Sequence, residues 1–266
     1  QPRELAHPGL SSGGDELAEH LTAQVLGILD LRVELAVRER ACAALAELRV
    51  GLRPDVTRES FSRAIVDGTV ENCLASVAVR AGDAVFVPAG TAHTICPGVV
   101  LCEVQQHSDI TYRVFDYNRV GTDGKTRPLH LRQALSVMRF GEQNGGRCDP
   151  VRVTNGAVTE TFFAACRHFA MERWKFRERI AAVTSPEHFD LLIFLEGKGR
   201  IEFTEGAESY EPAEAWLLPA ALGAYQLVPD SPSTLLRTYV PDLNGFVQRL
   251  TDERVEEEAW SRVVHP

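Results

Sequence analysis

The chain has no apolar run near the roughly 18 to 20 residues that a membrane span requires, although 44% of its 266 residues are hydrophobic. We therefore expect a soluble globular protein with no membrane partner. The chain also lacks an excess of positive charge, since 28 Lys and Arg face 37 Asp and Glu and the formal net charge is −9. That balance offers no general attraction to phosphate backbones, so we expect no nucleic-acid partner.

No pair of cysteines has the C-x-x-C spacing, and in a chain of this length the cysteines do not resemble a disulfide framework. We therefore expect a cytoplasmic protein. Residue 1 is Gln, and no charged segment followed by an apolar core marks a signal peptide, so we expect that the chain was processed or that its true start is missing. The six cysteines are Cys42, Cys73, Cys96, Cys102, Cys148 and Cys166.

Aromatic residues are absent from the first 60 positions, although the chain contains 12 Phe, 5 Tyr and 3 Trp. Lysine is absent from the same stretch. Apolar residues recur there at three- and four-residue spacing from about residue 15 to residue 50, which predicts one or two amphipathic helices. A short helix over 57–66 follows, with Thr57 as its cap.

After residue 66 the pattern changes to short β segments separated by Gly, Pro and Asp, which is typical of a barrel or sandwich. The first series is predicted at 75–79, 84–87, 94–95, 99–105 and 111–117. A polar stretch over 121–149, with a short helix near 131–138, is the best candidate for a linker. The second series is predicted at 162–165, 169–174, 189–195, 200–203, 215–218, 224–228 and 234–240.

The two series have a coarse internal similarity, which suggests two copies of one small barrel. A Gly-Asp turn precedes AVFVPAG at 84–90, and EAWLLPAALG at 214–223 repeats the order of turn, apolar strand, Pro-Ala and Gly. The first copy continues to His93, whereas Tyr225 follows the second. We therefore expect any metal position in the first barrel and a structural role for the second.

Potentially functional residues are densest between Gly82 and Arg119. His93 follows a strand and a Pro-Ala-Gly turn, where an imidazole is either a zinc ligand at a barrel mouth or a structural histidine. Charged side chains then alternate with apolar ones, and buried charges need partners or a ligand. A salt-bridge network at the rim and a site for a charged substrate both fit this second group, which comprises Glu103, Asp109, Arg113, Asp116 and Arg119.

Residues 82–131 resemble the core signature of type I mannose-6-phosphate isomerase, a zinc-dependent family of the cupin superfamily. The resemblance is carried by GDAVFVPAGTAHTI, VLCEVQQHSDITYRVFDYNR and DGKTRPLHL, and continues more loosely over about 51–245. It implies an all-β fold of two cupin-type jelly-roll barrels with short helices. The expected units are an atypical helical segment at 1–50, a metal-site barrel at 51–140 and a structural barrel at 141–266.

The resemblance also implies roles for four residues. His93 matches a zinc ligand of the family, Arg113 matches an active-site arginine, and Glu103 and Asp109 match acidic positions of the same pocket. The implied reaction interconverts mannose 6-phosphate and fructose 6-phosphate by zinc-assisted proton transfer through a cis-enediol, where the positive charge of an arginine stabilises a developing oxyanion. The implied cofactor is Zn²⁺ and the implied partner is a sugar phosphate; we expect a monomer or weak homodimer.

The chain departs from the family upstream of residue 51. The family's other zinc ligands lie in Gln-x-His and Lys-x-Glu stretches, and neither stretch is present. By its order along the chain, Glu34 is the first candidate replacement, followed by His7 or His20. Residues 1–50 could be a substituted segment, for example through a reading-frame error, or a degenerate form that lost its metal, or the ligands could come from unfamiliar positions. The alternative function is a non-catalytic, metal-poor cupin that binds sugar phosphates.

Overall fold

The computed structural model describes residues 46–106, 108, 110–117, 120–141 and 145–265, together with the backbone of strand 24–28. These residues form four β-sheets with a few short helices, which confirms the predicted all-β class. Within the described residues, no helix is long and apolar enough to cross a membrane.

Strands before residue 150 form two sheets. The four-stranded sheet has the order β6-β1-β4-β7, and the three-stranded sheet has the order β3-β2-β5. The strands are β1 (Gln24–Ile28), β2 (Ala46–Leu52), β3 (Leu74–Val79), β4 (Ala84–Val87), β5 (His93–Ile95), β6 (Leu101–Gln105) and β7 (Gly146–Arg147).

Strands after residue 150 form a seven-stranded and a four-stranded sheet. The first has the order β15-β12-β17-β10-β9-β18, with β8 also paired to β9, and the second has the order β11-β16-β13-β14. The strands are β8 (Val151–Asn155), β9 (Val158–Cys166), β10 (Ala170–Phe176), β11 (Ile180–Val183), β12 (Asp190–Glu196), β13 (Gly199–Phe203), β14 (Gly206–Tyr210), β15 (Ala215–Leu218), β16 (Ala224–Pro229), β17 (Ser233–Tyr239) and β18 (Val264–His265).

The helices pack against these sheets through apolar side chains. Helix α1 begins with a capping box, in which the Thr57 hydroxyl accepts from the Ser60 amide at 3.2 Å and the Ser60 hydroxyl accepts from the Thr57 amide at 2.9 Å. Phe246 and Leu250 pack α3 against β8 and β9. The helices are α1 (Arg58–Val66), α2 (Leu131–Val137), α3 (Leu243–Asp252) and α4 (Glu257–Trp260), with 3₁₀ turns at Val70–Cys73 and Ala220–Leu222.

Strand β4 is buried on both faces, as its unbroken apolar run Ala-Val-Phe-Val requires. Val85 and Val87 pack between the two sheets of the first half. Ala84 and Phe86 point the other way and join a cluster with Phe163 and other residues of the seven-stranded sheet. The two halves are therefore joined through one continuous apolar layer.

The predicted helix over 15–50 is wrong at the two segments that the structure describes there. Residues 24–28 pair with β4 on one side and β6 on the other, and residues 46–52 pair with β3 and β5. Backbone pairing on both edges of a strand outweighs the helical spacing of its apolar residues, and Gly27 weakens helix propensity further. The rest of 1–45 lies outside the described residues.

The predicted strand at 111–117 is also wrong. That segment has irregular backbone, and Tyr117 has a positive φ of 53°. Its backbone is held instead by the segment before α2, because the Arg113 amide donates to His130 Nδ1 at 3.3 Å and the His130 amide donates to the Arg113 carbonyl at 2.8 Å. The other predicted strands are confirmed within a few residues, and the helix near 131–138 is confirmed as α2.

Candidate functional site

A cavity of about 390 Å³ opens beside the turn that follows β4. This volume lies within the range of small-molecule sites. Its walls come from the ends of β5 and β6, the 3₁₀ turn at Val70–Cys73, the irregular segment 110–117 and the end of α2. Its charged and hydrogen-bonding side chains include Glu71, His93, Glu103, Tyr112, Arg113 and Tyr117.

The turn Pro88-Ala-Gly90 positions His93 at this cavity. Gly90 has a φ of +79°, and a Cβ at this position would lie 2.6 Å from the carbonyl oxygen of Val137. The Arg139 amide donates to the Gly90 carbonyl at 3.3 Å, which ties the turn to the end of α2. Glycine is required here both for its conformation and for the close approach of α2.

His93 begins β5, opposite Val50 of β2, and its side chain lies at the exposed rim of the cavity. Its Nδ1 lies 3.1 Å from the carbonyl oxygen of Thr91. A carbonyl oxygen can only accept, so Nδ1 carries the proton of this contact and the lone pair of the neutral ring lies on Nε2. This orientation by a backbone carbonyl is typical of histidines that act as ligands or bases.

Glu103 and Arg113 line the same cavity from different elements. Glu103 is exposed in the middle of β6, whereas the Arg113 side chain is 25% exposed in the irregular segment. The cavity therefore brings together three of the residues that the sequence singled out, and it combines an imidazole, a carboxylate and a guanidinium.

Asp116 holds Arg113 within a small ion-pair network. Arg113 Nε lies 3.6 Å from Asp116 Oδ1, and Arg127 Nε donates to Asp116 Oδ2 at 2.7 Å while a second Arg127 nitrogen contacts Oδ1. The Asp116 side chain is only 10% exposed and is shared by both guanidinium groups. A rim network therefore exists, and it restrains the position of the cavity's arginine.

Sequence reasoning missed Glu71 and did not single out Tyr117. The Tyr117 hydroxyl donates to Glu71 Oε1 at 2.8 Å across a separation of 46 residues, and both side chains line the cavity. Burial, together with the nearby Glu71 carboxylate, raises the pKa of Tyr117. The signal for Tyr117 was its place in the run VFDYNR, whereas no local pattern marks Glu71.

Two predicted site residues, Asp109 and Glu34, lie outside the described residues. Among the residues that are described, no group of three or more His, Cys, Asp and Glu side chains could hold a metal ion. His93 and Glu103 face one cavity but do not by themselves make a closed zinc site, which takes four ligands, or a catalytic one, which takes three. The described residues therefore do not fit the implied zinc.

No family model matches the chain. It is 31% identical over 186 residues to the probable mannose-6-phosphate isomerase GmuF of Bacillus subtilis, covering 70% of this chain and 58% of that relative. It is also 31% identical over 171 residues to mannose-6-phosphate isomerase ManA of the same organism, covering 64% and 54% respectively. The chain is a homologue of the mannose-6-phosphate isomerases. It spans between half and three fifths of the length of these two homologues.

Solved structures agree on the fold. The mannose 6-phosphate isomerase of Bacillus subtilis superimposes with a TM-score of 0.71 at 23% identity, covering 85% of this chain and 67% of that one. A putative mannosephosphate isomerase of Archaeoglobus fulgidus gives a TM-score of 0.59 at 13% identity. At these identities the likeness shows the shared fold, so the chemistry of this homologue rests on its own residues.

Proposed function

We propose that the chain interconverts mannose 6-phosphate and fructose 6-phosphate, with the sugar bound in the cavity beside His93. The observation that carries the proposal is that His93, Glu103 and Arg113 come from separate elements to one cavity. The likeness to relatives named mannose-6-phosphate isomerase supports the substrate.

The reaction moves a proton between C1 and C2 while charge develops on the neighbouring oxygen. Arg113 is proposed to supply positive charge for that oxygen or for the phosphate, since its guanidinium is held by Asp116 and its side chain is only 25% exposed. Two carboxylates, Glu71 and Glu103, line the cavity and can accept a proton. Asp109 is proposed as a third acidic group of the site.

Zinc remains a prediction from the family resemblance. A zinc ion at His93 would need donors from outside the described residues, of which Glu34 is the candidate, and no step of the reaction is assigned to it. The remaining proposals are a cytoplasmic location, a monomer or weak homodimer, and a division into an N-terminal segment at 1–50, a site barrel at 51–140 and a structural barrel at 141–266. The N-terminal segment is not proposed to be helical, because residues 24–28 and 46–52 are strands.

The test is a coupled assay that measures fructose 6-phosphate formed from mannose 6-phosphate, together with the metal content of the purified protein. We expect turnover in the wild type and a loss of at least 100-fold in Arg113→Ala, since removing one preorganised charge costs about 10²–10³ in rate. Arg200→Ala, which removes an exposed arginine far along the chain from the cavity, is the control and should retain full activity.

Deuterium exchange separates the two carboxylates. Isomerisation in D₂O followed by proton NMR should show label entering at C1 or C2, and the Glu→Gln variant of the true base should lose both exchange and turnover. Wild-type protein that binds the sugar phosphate without turnover or exchange would overturn the isomerase proposal and favour the non-catalytic alternative.

A further inference from the structure

A second cavity, of about 570 Å³, lies at the junction of the two halves. It opens where the turn before β4 meets the outer face of the seven-stranded sheet. None of its lining residues lines the cavity beside His93. The two cavities thus lie at opposite ends of β4, with Gly82 and Asp83 before the strand and His93 after it. We call the second one the junction cleft.

The junction cleft is strongly basic within an acidic protein. Three acidic side chains, Asp83, Asp149 and Glu196, line it, so its five cations leave an excess of two positive charges. Arg262 also contacts Asp149, at 2.7 Å from outside the cleft, and offsets that carboxylate. The five cations are Arg80, Arg147, Arg152, Arg173 and Lys175.

Two of the cations are already paired and three are not. Arg80 and Arg147 share Asp83, each at 3.7 Å. Within the part of the chain that the structure describes, no carboxylate lies within salt-bridge distance of Arg152, Arg173 or Lys175, and Glu196 instead accepts from the Thr234 hydroxyl at 2.8 Å. Three like charges, none of them in direct ion-pair contact, share one concave surface.

Arg173 is the fixed member of this group. Its guanidinium lies 5.3 Å from the centre of the Phe163 ring and donates through Nη1 to the Gly82 carbonyl at 3.2 Å. Gly82 has a φ of +88°, and a Cβ there would lie 3.1 Å from that same Nη1, so glycine leaves room for the arginine. Among the described residues, the buried Nε of Arg173 has no hydrogen-bond partner.

These contacts hold a partly buried cation in place, and the carboxylates of Glu196 and Asp83 offset its charge only in part. Burial, and then the neighbouring charge of Arg152, lower the pKa of Arg173, so its surroundings disfavour the charge that it carries. An anion in the cleft would relieve this repulsion and supply an acceptor. The preorganised, planar guanidinium of Arg173 is suited to binding a phosphate group. The exposed side chains of Arg152 and Lys175 can then contact the same phosphate.

We propose that the junction cleft is a phosphate-binding site, distinct from the cavity beside His93, that takes inorganic phosphate or the phosphate group of a small metabolite. Arg173 is the fixed anchor, and Arg152 and Lys175 supply the remaining charge. The inference does not depend on the isomerase activity, because it rests on other residues.

The test is calorimetric titration of the whole chain with inorganic phosphate and with pyrophosphate, at an ionic strength held constant with sodium chloride. The double variant Arg152→Gln/Lys175→Gln should bind both anions about 10- to 30-fold more weakly, at roughly fivefold for each cation removed. Pyrophosphate should bind more tightly than phosphate, because its larger charge spans more of the cations. A titration with glycerol 3-phosphate tests whether the cleft also accepts a phosphate ester.

The matched control is Arg177→Gln/Lys198→Gln, which removes one exposed arginine and one exposed lysine outside the cleft and so changes the net charge equally. It should bind like the wild type within twofold. Arg113→Ala, which alters the other cavity, should leave unchanged the component of binding that Arg152→Gln/Lys175→Gln weakens. The proposal is overturned if the wild type does not bind either anion, if both double variants weaken binding equally, or if binding is lost only in Arg113→Ala.

Discussion

Arg237 is the counter-ion of two buried carboxylates inside the second half. Its Nη1 lies 2.9 Å from Glu172 Oε1 and its Nη2 lies 2.9 Å from Asp190 Oδ2, and the two carboxylate side chains are each 1% exposed. The guanidinium also lies 4.3 Å from the centre of the Tyr239 ring. Replacing Arg237 with Leu keeps an apolar stem but leaves both carboxylates without their cation.

Arg237→Leu should lose much of the protein's stability, because the two buried carboxylates cannot be solvated by water instead. Breaking a buried ion pair by removing one partner costs about 3–5 kcal/mol, against a typical stability of about 5–15 kcal/mol for a domain. The matched change Arg200→Leu removes an exposed arginine that lies 3.5 Å from Glu202 and 3.9 Å from Asp230. Exposed pairs contribute about 0–1 kcal/mol, so this control should be nearly neutral.

The loss of stability in Arg237→Leu should also depend on pH, and the pKa of Asp190 decides whether it grows or shrinks as the pH rises. Burial raises the pKa of Asp190 in the folded protein, and Arg237 opposes that rise. Without Arg237 the folded pKa should rise further above the unfolded value, so the folded state binds the proton more tightly than the unfolded one. The variant then loses stability as pH rises from about 4 through the folded pKa, at up to about 1.4 kcal/mol per pH unit for one group.

Urea denaturation at pH 5 and pH 7.5 measures both effects. We expect Arg237→Leu to lose about 3–5 kcal/mol at pH 7.5 and roughly 1–3 kcal/mol less at pH 5. A loss no larger than that of Arg200→Leu would show that the buried pair contributes little. An equal loss at both pH values would refute the assignment of the penalty to an ionised carboxylate.

Three further outcomes are expected elsewhere in the chain. Gly90→Ala should lower both the turnover in the proposed isomerase assay and the melting temperature. The added methyl group would clash with the end of α2, and a strained backbone costs on the order of 1–3 kcal/mol. Unchanged turnover would show that the turn does not position His93. Tyr117→Phe removes the hydrogen bond to Glu71 and should destabilise the protein by about 1 kcal/mol in urea denaturation, whereas an unchanged midpoint would show that the bond makes no net contribution. Desolvation raises the pKa of the partly buried Cys148, which lines the junction cleft, to about 12. At pH 8 only about one such thiol in ten thousand is ionised, so thiol reagents should label it far more slowly in the folded than in the unfolded protein, and equally fast labelling would refute the raised pKa.

The strands of the second half were the most predictable part of the fold. Their apolar runs are short, β-branched or aromatic, and bounded by turn residues, and the predicted bounds agree within a few residues. Four strands of the second half were missed, and all lie at sheet edges or pair on one side only: β8, β11, β14 and β18. An edge strand buries few side chains, so its alternation of apolar and polar residues is weak.

Sequence patterns failed where distant segments decide the conformation. Strand β1 resembles a helix by spacing, yet it lies between β4 and β6, which are far along the chain. The segment 111–117 resembles a strand by alternation, yet the backbone amide and carbonyl of Arg113 at its centre bond to His130 and not to a neighbouring strand. Local periodicity contains no information about such partners.

The same distinction separates the parts of the site. His93, Glu103 and Arg113 lie within one dense motif, so their common location could be predicted. The contact between Glu71 and Tyr117 spans 46 residues, and the bond from Arg173 to Gly82 spans 91. Contacts over such long separations depend on how the sheets pack together. No sequence motif in this chain predicts that packing.

The apolar layer through Ala84 and Phe86 bears on the cooperativity of unfolding. Phe86 packs with Phe163 of the second half, and its ring stacks on His265 at 4.1 Å between centroids. Each half therefore has an apolar face that only the other half covers. The two halves should melt in a single transition, and fragments cut near residue 150 would each expose the apolar face that the other normally covers.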